Sequence, residues 1–328
     1  MQLMPLADGG EGSMELLGRA YGLRAHRLRV TGPLRKPVRA TYYLGRGRAV
    51  IESAAACGLH LVPPPRRNPE HTTTVGVGML VDEALSRGAR DILLLLGGSA
   101  TNDGGAGMAA ALGYRFLTVD GTDIVPMAGS LQHVHRIDTA GRNPAIAAAR
   151  ITVLCDVNNP LLGPQGATYT YAAQKGATED RLAELEENMR HFSALLARDT
   201  GKDVSNIPGA GAAGGLGAGT LAFLAAELRS GTEVILEAVG FGEAVESADL
   251  VITGEGSIDE QTLHGKVVAG VIGADRRTLA VCGRSSLTAS QLGVESILSL
   301  DRFAELGTQE KMDRAAELVE RIVHEYLA

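Results

Sequence analysis

The chain has 328 residues, room for two domains or one large domain with an insertion, and its 45% apolar and 21% charged residues suit an ordinary soluble globular protein. A net charge of −7 argues against a nucleic-acid surface. No apolar run approaches the ~20 residues of a membrane span. Three dispersed cysteines, Cys57, Cys155 and Cys282, form no CxxC pair and read as reduced, buried thiols, while the eight histidines lack the spacing of a protein-held zinc site.

From the start, Asp8, Glu11 and Glu15 break any apolar leader, so a cytoplasmic protein is expected. Ala7–Ser13 (ADGGEGS) sets Asp8 and Glu11 among three glycines, which suits Mg²⁺ or a hydroxyl-orienting base, or simply a helix start whose acids complement its dipole. Residues Leu28–Val50, with β-branched residues and Tyr42–Tyr43 between glycine turns, predict a small antiparallel element. The arginines Arg24, Arg27, Arg29, Arg35, Arg39, Arg46 and Arg48 then decorate a solvated β face. Pro63–Pro65 marks a rigid connection.

Short apolar strands are predicted at Val50–Ile51, Ile92–Leu96, Ile151–Cys155, Leu250–Thr253 and Leu279–Cys282, each running into a Gly, Asn, Asp or Ser turn. Their alternation with helices indicates an α/β fold with a mostly parallel sheet. Leu93–Gly107 (LLLLGGSATNDGGAG) joins such a strand to a glycine turn and a helix, bringing Gly97, Gly98, Ser99, Thr101, Asn102 and Asp103 to the carboxyl end of a sheet. Ligands bind there in α/β proteins, and the reading is an anion or phosphate site, with Asp103 as a plain N-cap the alternative. Cys155–Leu161 places Asp156, Asn158 and Asn159 after the next strand, as a site or as an Asx turn before proline. Lys175, in Ala172–Gly176, is a candidate point charge for an anion.

Glu179–Arg198 is the best surface helix, with Leu182, Leu185, Met189 and Phe192 on one face. Gly209–Gly219 contains GxGxxG at Gly209, Gly211 and Gly214, but no strand precedes it, which points to close packing or a glycine-rich anion turn rather than a dinucleotide site. Asp249–Lys266 follows a strand with Glu255, Asp259, Gln261, His264 and Lys266, a set suited to metal and phosphate work. It is not a P-loop, because Glu260 stands where the first glycine belongs and Val267 where Ser or Thr belongs. A last helix is predicted over Lys311–Tyr326, with Ala315, Leu318, Ile322 and Tyr326 on its stripe.

Together, Asp8–Gly12, Thr72–Thr74 with Gly76 and Gly78, Gly97–Gly105, Cys155–Leu161 and Gln174–Thr178 resemble the bacterial-type glycerate kinase family. Pro208–Gly215, Ile252–Gly256, Asp259–Gln261 and Gly265–Lys266 extend the resemblance nearly end to end. It implies two α/β domains with mostly parallel sheets, one discontinuous (residues 1–27 with 232–328) and one inserted (28–231), the active site lying in the interdomain cleft. It also implies transfer of the γ-phosphoryl group of ATP, with Mg²⁺, to a hydroxyl of D-glycerate, giving 2-phosphoglycerate.

On that resemblance Asp8, Asp156 and Lys266 are the catalytic candidates, and Glu255 and Asp259 those for the metal. Glu11, Gly97, Gly98, Ser99, Thr101, Asn102, Asp103, Asn159, Gln174, Lys175, Gly209, Gly211 and His264 would hold substrate or phosphate. The sequence departs from the family's pattern at Met79, Ala173, Ser257 and Val268. The strand and helix that usually precede Asp8–Gly12, with their lysine-containing turn, would lie upstream of Met1, so a late start or a truncated chain is expected. The alternatives are an impaired member that binds a small acid or nucleotide, or a kinase for another small hydroxy acid. The sequence leaves oligomeric state open, a homo-oligomer included.

Overall fold

The computed structural model of the protein describes residues 2–7, 12–263, 267–273 and 276–328. It divides into two compact units, Met1–Asp8 with Thr232–Ala328, and Gly9–Gly231. Among the described residues the larger unit takes in residues 12–27, which were expected with the smaller one. Helix α1 (Ser13–Ala20) packs on strands β2 (Pro37–Gly45) and β3 (Arg48–Glu52), so closely that a Cβ on Gly18 would meet the Tyr43 ring at 2.3 Å. Strand β1 (Arg24–Thr31) pairs with β2 along its whole length.

In the larger unit the described residues build a sheet ordered β1-β2-β3-β4-β8-β9, with β4 at Asp91–Leu95, β8 at Arg150–Leu154 and β9 at Glu227–Arg229. β1, β2 and β3 form the expected antiparallel element, and β3, β4, β8 and β9 run parallel. The arginines predicted for a solvated face include Arg27, Arg29 and Arg39, which are exposed on the edge hairpin. Arg29 lies opposite Arg39, a like-charge pairing that discourages a second strand from docking on this edge. A separate antiparallel ribbon of β5 (Arg115–Leu117), β6 (Asp123–Ile124) and β7 (Arg136–Asp138), together with β9, has no counterpart among the expected strands. Strands of two or three residues are too short to carry a period-2 signal.

Helix α2 (Ala54–Cys57) follows β3, while α3 (Val75–Ser86) and α4 (Ala106–Ala111) pack against each other. α3 is apolar nearly all round and buries Val77, Leu80, Val81, Ala84 and Leu85, as a helix covered on several sides must. Contact with α4 requires glycine at position 78, where a Cβ would meet the Met108 carbonyl oxygen at 2.2 Å. Gly78→Ala is therefore expected to cost about 1–3 kcal/mol in urea unfolding, because backbone rather than a flexible side chain must yield. An unchanged midpoint would show that the two helices can separate freely.

Helix α5 (Ala167–Tyr171) precedes α6 (Glu179–Thr200), which buries Leu185, Met189 and Phe192 as expected but leaves Leu182 half-buried. α7 (Ala212–Leu224) is broken by left-handed backbone at Ala213, Gly214 and Gly215.

In the smaller unit β10 (Val251–Ile258), β11 (Thr278–Ser285) and β12 (Ser296–Ser299) form a parallel sheet in that order. One face of β11 packs Ala280 and Cys282 with Ile258, Val268 and Leu292, and the other packs Val281 with Leu300, Phe303, Leu318 and Ile322. The last predicted helix divides at Arg314 into Thr308–Asp313 and Ala315–Leu327. Its stripe buries Leu318 and Ile322, while Tyr326 is exposed and hydrogen-bonds Glu295 Oε1 at 3.0 Å. All three cysteines are free, with Cys57 and Cys282 buried. No helix among the described residues is long and apolar enough to cross a membrane.

Candidate functional site

Parallel pairing of β3, β4 and β8 brings three turns to one carboxyl edge of the larger unit: Ser53 after β3, Gly97–Asn102 after β4, and Cys155–Pro160 after β8. The ladder ends with Ser53 N–H donating to Leu95 O at 3.0 Å and Leu96 N–H to Leu154 O at 3.0 Å. Beyond it the backbone turns through Gly98, whose φ of 57° is left-handed. Leu59 N–H then binds Gly98 O at 2.7 Å and Ala100 N–H binds Cys57 O at 2.8 Å, pinning the turn to α2.

The consecutive N–H groups of Gly97, Gly98 and Ser99 find no acceptor among the described residues. Gly97 and Gly98 are exposed, and a Cβ on Gly97 would meet nothing within 4 Å. Successive amide groups around a left-handed residue make a concavity for an anionic oxygen. The donors without an acceptor in the turn expected to hold an anion are therefore backbone amides. They come from the turn itself, because the α4 N-terminus is otherwise engaged.

The group that occupies that N-terminus is Asp103, and this corrects its expected role as a ligand to substrate. Asp103 is fully buried. Its Oδ2 accepts from Thr74 N at 2.9 Å, Thr74 Oγ1 at 2.9 Å and Gly107 N at 3.3 Å, and its Oδ1 from Gly105 N at 3.1 Å. Thr74 Oγ1 in turn accepts from Met108 N at 2.9 Å. The carboxylate thus clamps the N-termini of α3 and α4 together. Burial pushes its carboxyl up from the usual range, and the four hydrogen bonds it accepts pull the other way by favouring the charged form.

Lys175 ends a turn after α5 and is also buried. Its ammonium donates to Ser99 Oγ at 3.2 Å and Thr101 O at 2.7 Å, so it reaches the anion turn from beneath rather than standing open beside it. Burial lowers Lys175 to about 8, with Cys57 and Asp103 pulling the other way. Asn102 is anchored by Nδ2 donating to Thr168 Oγ1 at 3.2 Å, whereas its Oδ1 and Ser53 Oγ are buried without a partner among the described residues. Ser53 and Thr74 escaped the sequence reading. The only trace of Ser53 is a hydroxyl directly after an apolar strand, and that of Thr74 is its place in the Thr72–Thr74 run.

Asp156 is exposed at the end of β8, and its Oδ1 accepts from Ser230 Oγ at 2.9 Å and Gly231 N at 2.9 Å, tying this turn to the one after β9. Asn159 braces its loop: its Nδ2 donates to Gln165 O at 2.7 Å and its Oδ1 accepts from Tyr171 Oη at 2.6 Å. The expected role of Gly209 and Gly211 is corrected. Both are buried, and Cβ atoms there would meet Leu228 Cδ1 at 2.9 Å and Pro160 O at 2.2 Å, so these glycines allow close packing behind the β8 turn instead of cradling phosphate. Gln174 is exposed.

In the smaller unit β10 runs on through the Gly254–Gly256 stretch and carries Glu255. Glu255 Oε1 accepts from the Thr262 hydroxyl, whose oxygen accepts from Asp259 N at 3.1 Å. Glu255 and Asp259 are thereby drawn into one hydrogen-bonded turn. Among the described residues no group of three His, Cys, Asp or Glu side chains is arranged for a metal. Two carboxylates nevertheless fit Mg²⁺, which takes one or two protein carboxylates and completes its shell with water and substrate phosphate. Asp8, Glu11, His264 and Lys266 lie outside the described residues.

Comparison with known proteins decides the family. The model of the glycerate kinase family matches residues 1–328. The chain belongs to the glycerate kinase family. It is 45% identical to the glycerate kinase of Bacillus subtilis (strain 168) over 99% of this chain and 87% of that protein. It is 42% identical to the glycerate 2-kinase of Escherichia coli (strain K12) over 95% of this chain and 84% of that one. A crystal structure from Salmonella typhimurium LT2, provisionally named glycerate kinase 2, aligns with a TM-score of 0.81 at 41% identity over 90% of this chain and 79% of that chain.

Within this member of the glycerate kinase family the resembling motifs divide between the units. Thr72–Thr74, Gly97–Gly105, Cys155–Leu161, Gln174–Thr178 and Pro208–Gly215 belong to the larger, Ile252–Gly256 and Asp259–Gln261 to the smaller.

Proposed function

We propose that this chain transfers the γ-phosphoryl group of ATP to the 2-hydroxyl of D-glycerate, giving 2-phosphoglycerate and ADP. The observation that carries the reading is the turn Gly97–Ser99, three consecutive amide donors with no acceptor among the described residues, at the carboxyl edge of a parallel sheet in a chain of the glycerate kinase family. These donors suit a carboxylate or phosphate oxygen of the reactants. The acceptor hydroxyl oxygen attacks the γ-phosphorus, the bond to the bridging oxygen breaks, and the hydroxyl proton leaves to a carboxylate. Asp156 is our candidate for that carboxylate among the described residues, since it is exposed on the same edge and oriented by Ser230 and Gly231. Glu255 and Asp259 are the residues that would hold Mg²⁺, which neutralises phosphate charge during transfer.

Incubation with ATP, MgCl₂ and D-glycerate, followed by ³¹P NMR of the product, tests the proposal. The expected outcome is 2-phosphoglycerate, with turnover abolished by EDTA and restored by excess Mg²⁺. Formation of 3-phosphoglycerate would overturn the choice of hydroxyl. Turnover with another hydroxy acid but none with D-glycerate would overturn the substrate.

A further inference from the structure

Among the described residues Lys175 is the only lysine or arginine that is buried. A buried ammonium is costly unless its charge and all three N–H donors are satisfied. Here two donors are used, on the neutral Ser99 hydroxyl and the Thr101 carbonyl, and the Tyr171 ring centroid lies 6.0 Å from Nζ. The acid nearby, Asp103, has its oxygens committed to Thr74, Gly105 and Gly107. The charge is therefore only partly compensated by the protein that surrounds it. Ser99 is 5% exposed, and its oxygen accepts from the ammonium while its own proton has no acceptor among the described residues.

We propose that Lys175 is a positioning residue: by donating to Ser99 Oγ it turns the Ser99 hydroxyl proton outward, so that the hydroxyl joins the amides of Gly97–Ser99 in one donor set for an anionic oxygen of the substrate. The proposal rests on the reading of that turn as an anion site. The oxygen is either the carboxylate of the acceptor or a phosphate of the nucleotide, and the two are separated by measuring each ligand alone.

The groups that face Lys175 are Asp103 from the loop before α4, Cys57 from α2 and Tyr171 from α5. Burial, with Asp103 adding, pushes the Cys57 thiol to about 12, and burial raises Tyr171 too, so neither ionises near neutral pH. Lys175, held down at about 8, changes charge as pH passes that value. The sign for stability follows. Between about 8 and the ordinary 10.5, the unfolded chain keeps a proton that the folded chain has released, so stability contributed by this group rises with pH across that window. Below it, the penalty for burying the charge is fully present.

The test uses the full chain with Lys175→Met, Ser99→Ala and the double variant. D-glycerate alone and ATP alone are each titrated calorimetrically at pH 7 and 9.5, with thermal melts alongside. Lys175→Met is expected to weaken one of the two ligands at least tenfold at pH 7 while melting several degrees above the wild type. Wild-type affinity for that ligand should fall between pH 7 and 9.5, and the variant's should not. Because Lys175 acts through Ser99, adding Lys175→Met to Ser99→Ala should weaken binding less than twofold further.

Wild-type affinity at both pH values in Lys175→Met would overturn the inference. So would a lowered melting temperature with both ligands weakened alike, which marks a structural prop, or full additivity with Ser99→Ala. Should Lys175→Met not fold, a flat wild-type pH profile or unchanged binding by Ser99→Ala would overturn it. A wild-type chain that binds neither ligand would instead refute the anion-site reading itself.

Discussion

Asp103→Ala is expected to lower the unfolding free energy of the larger unit by about 3–5 kcal/mol, the cost of removing one partner from a buried charged network. Four donors lose their acceptor at once: the amides of Thr74, Gly105 and Gly107 and the Thr74 hydroxyl, three of them at the start of α3 or α4. Asp103 is 0% exposed, so little water can replace the carboxylate. Asp103→Asn should cost less, because its remaining oxygen can still accept from Thr74, but its amide would face the Gly105 donor. Urea unfolding followed by circular dichroism gives the stability, and steady-state kinetics on the folded fraction give KM. A tenfold rise in KM without loss of stability would return Asp103 to the role of a ligand that the sequence suggested and would undo its assignment as a clamp.

Gly98→Val should produce the largest loss of activity for the least loss of stability. The residue needs a φ of 57°, which a β-branched side chain does not tolerate, so the turn must open to relieve it. Relief moves the amides of residues 97–99, which are the proposed donors. Losing one such donor in an oxyanion site typically costs 10²–10³-fold in rate, and a loss of that size in kcat/KM is expected. Stability should fall by only about 1–2 kcal/mol, the penalty of a single left-handed residue. Space is not the obstacle, since a Cβ at Gly98 would come no closer than 3.8 Å to Ala54 Cβ. Wild-type kcat/KM in a folded Gly98→Val protein would remove this turn from the site.

Much of the candidate site was legible because glycine and hydroxyl residues after an apolar strand say where a chain turns at a sheet edge. Leu93–Gly107 carries that signal, and the turn stands where it was expected. Less legible was which member of the segment faces outward. Ser99, Asp103 and Lys175 are all polar and all close to the turn, yet all three are buried to some degree and two are spent on internal bonds. Nothing in LLLLGGSATNDGGAG says that Asp103 meets Thr74, because that bond spans 29 positions. The glycines at 209 and 211 misled for a similar reason. A residue without a side chain permits the approach of a phosphate or of another backbone equally, and here Pro160 O has that place.

The sequence by itself determined the parallel α/β character, through short apolar runs ending in glycine and Asx turns, and the edge hairpin, through its alternating arginines and β-branched residues. It also determined the family, since several motifs recur end to end in order. Periodicity and turn chemistry are local properties, and they survive in one dimension. Tertiary structure alone decided which polar groups are available. Pairing of β3, β4 and β8 brings Ser53, Gly97–Asn102 and Asp156 to one edge, and packing of α3 on α4 buries Asp103 between their N-termini. The turn after α5 carries Lys175 beneath Ser99 across 76 positions. A buried polar group must find its partners inside the protein, and only the folded chain shows which donors have found one.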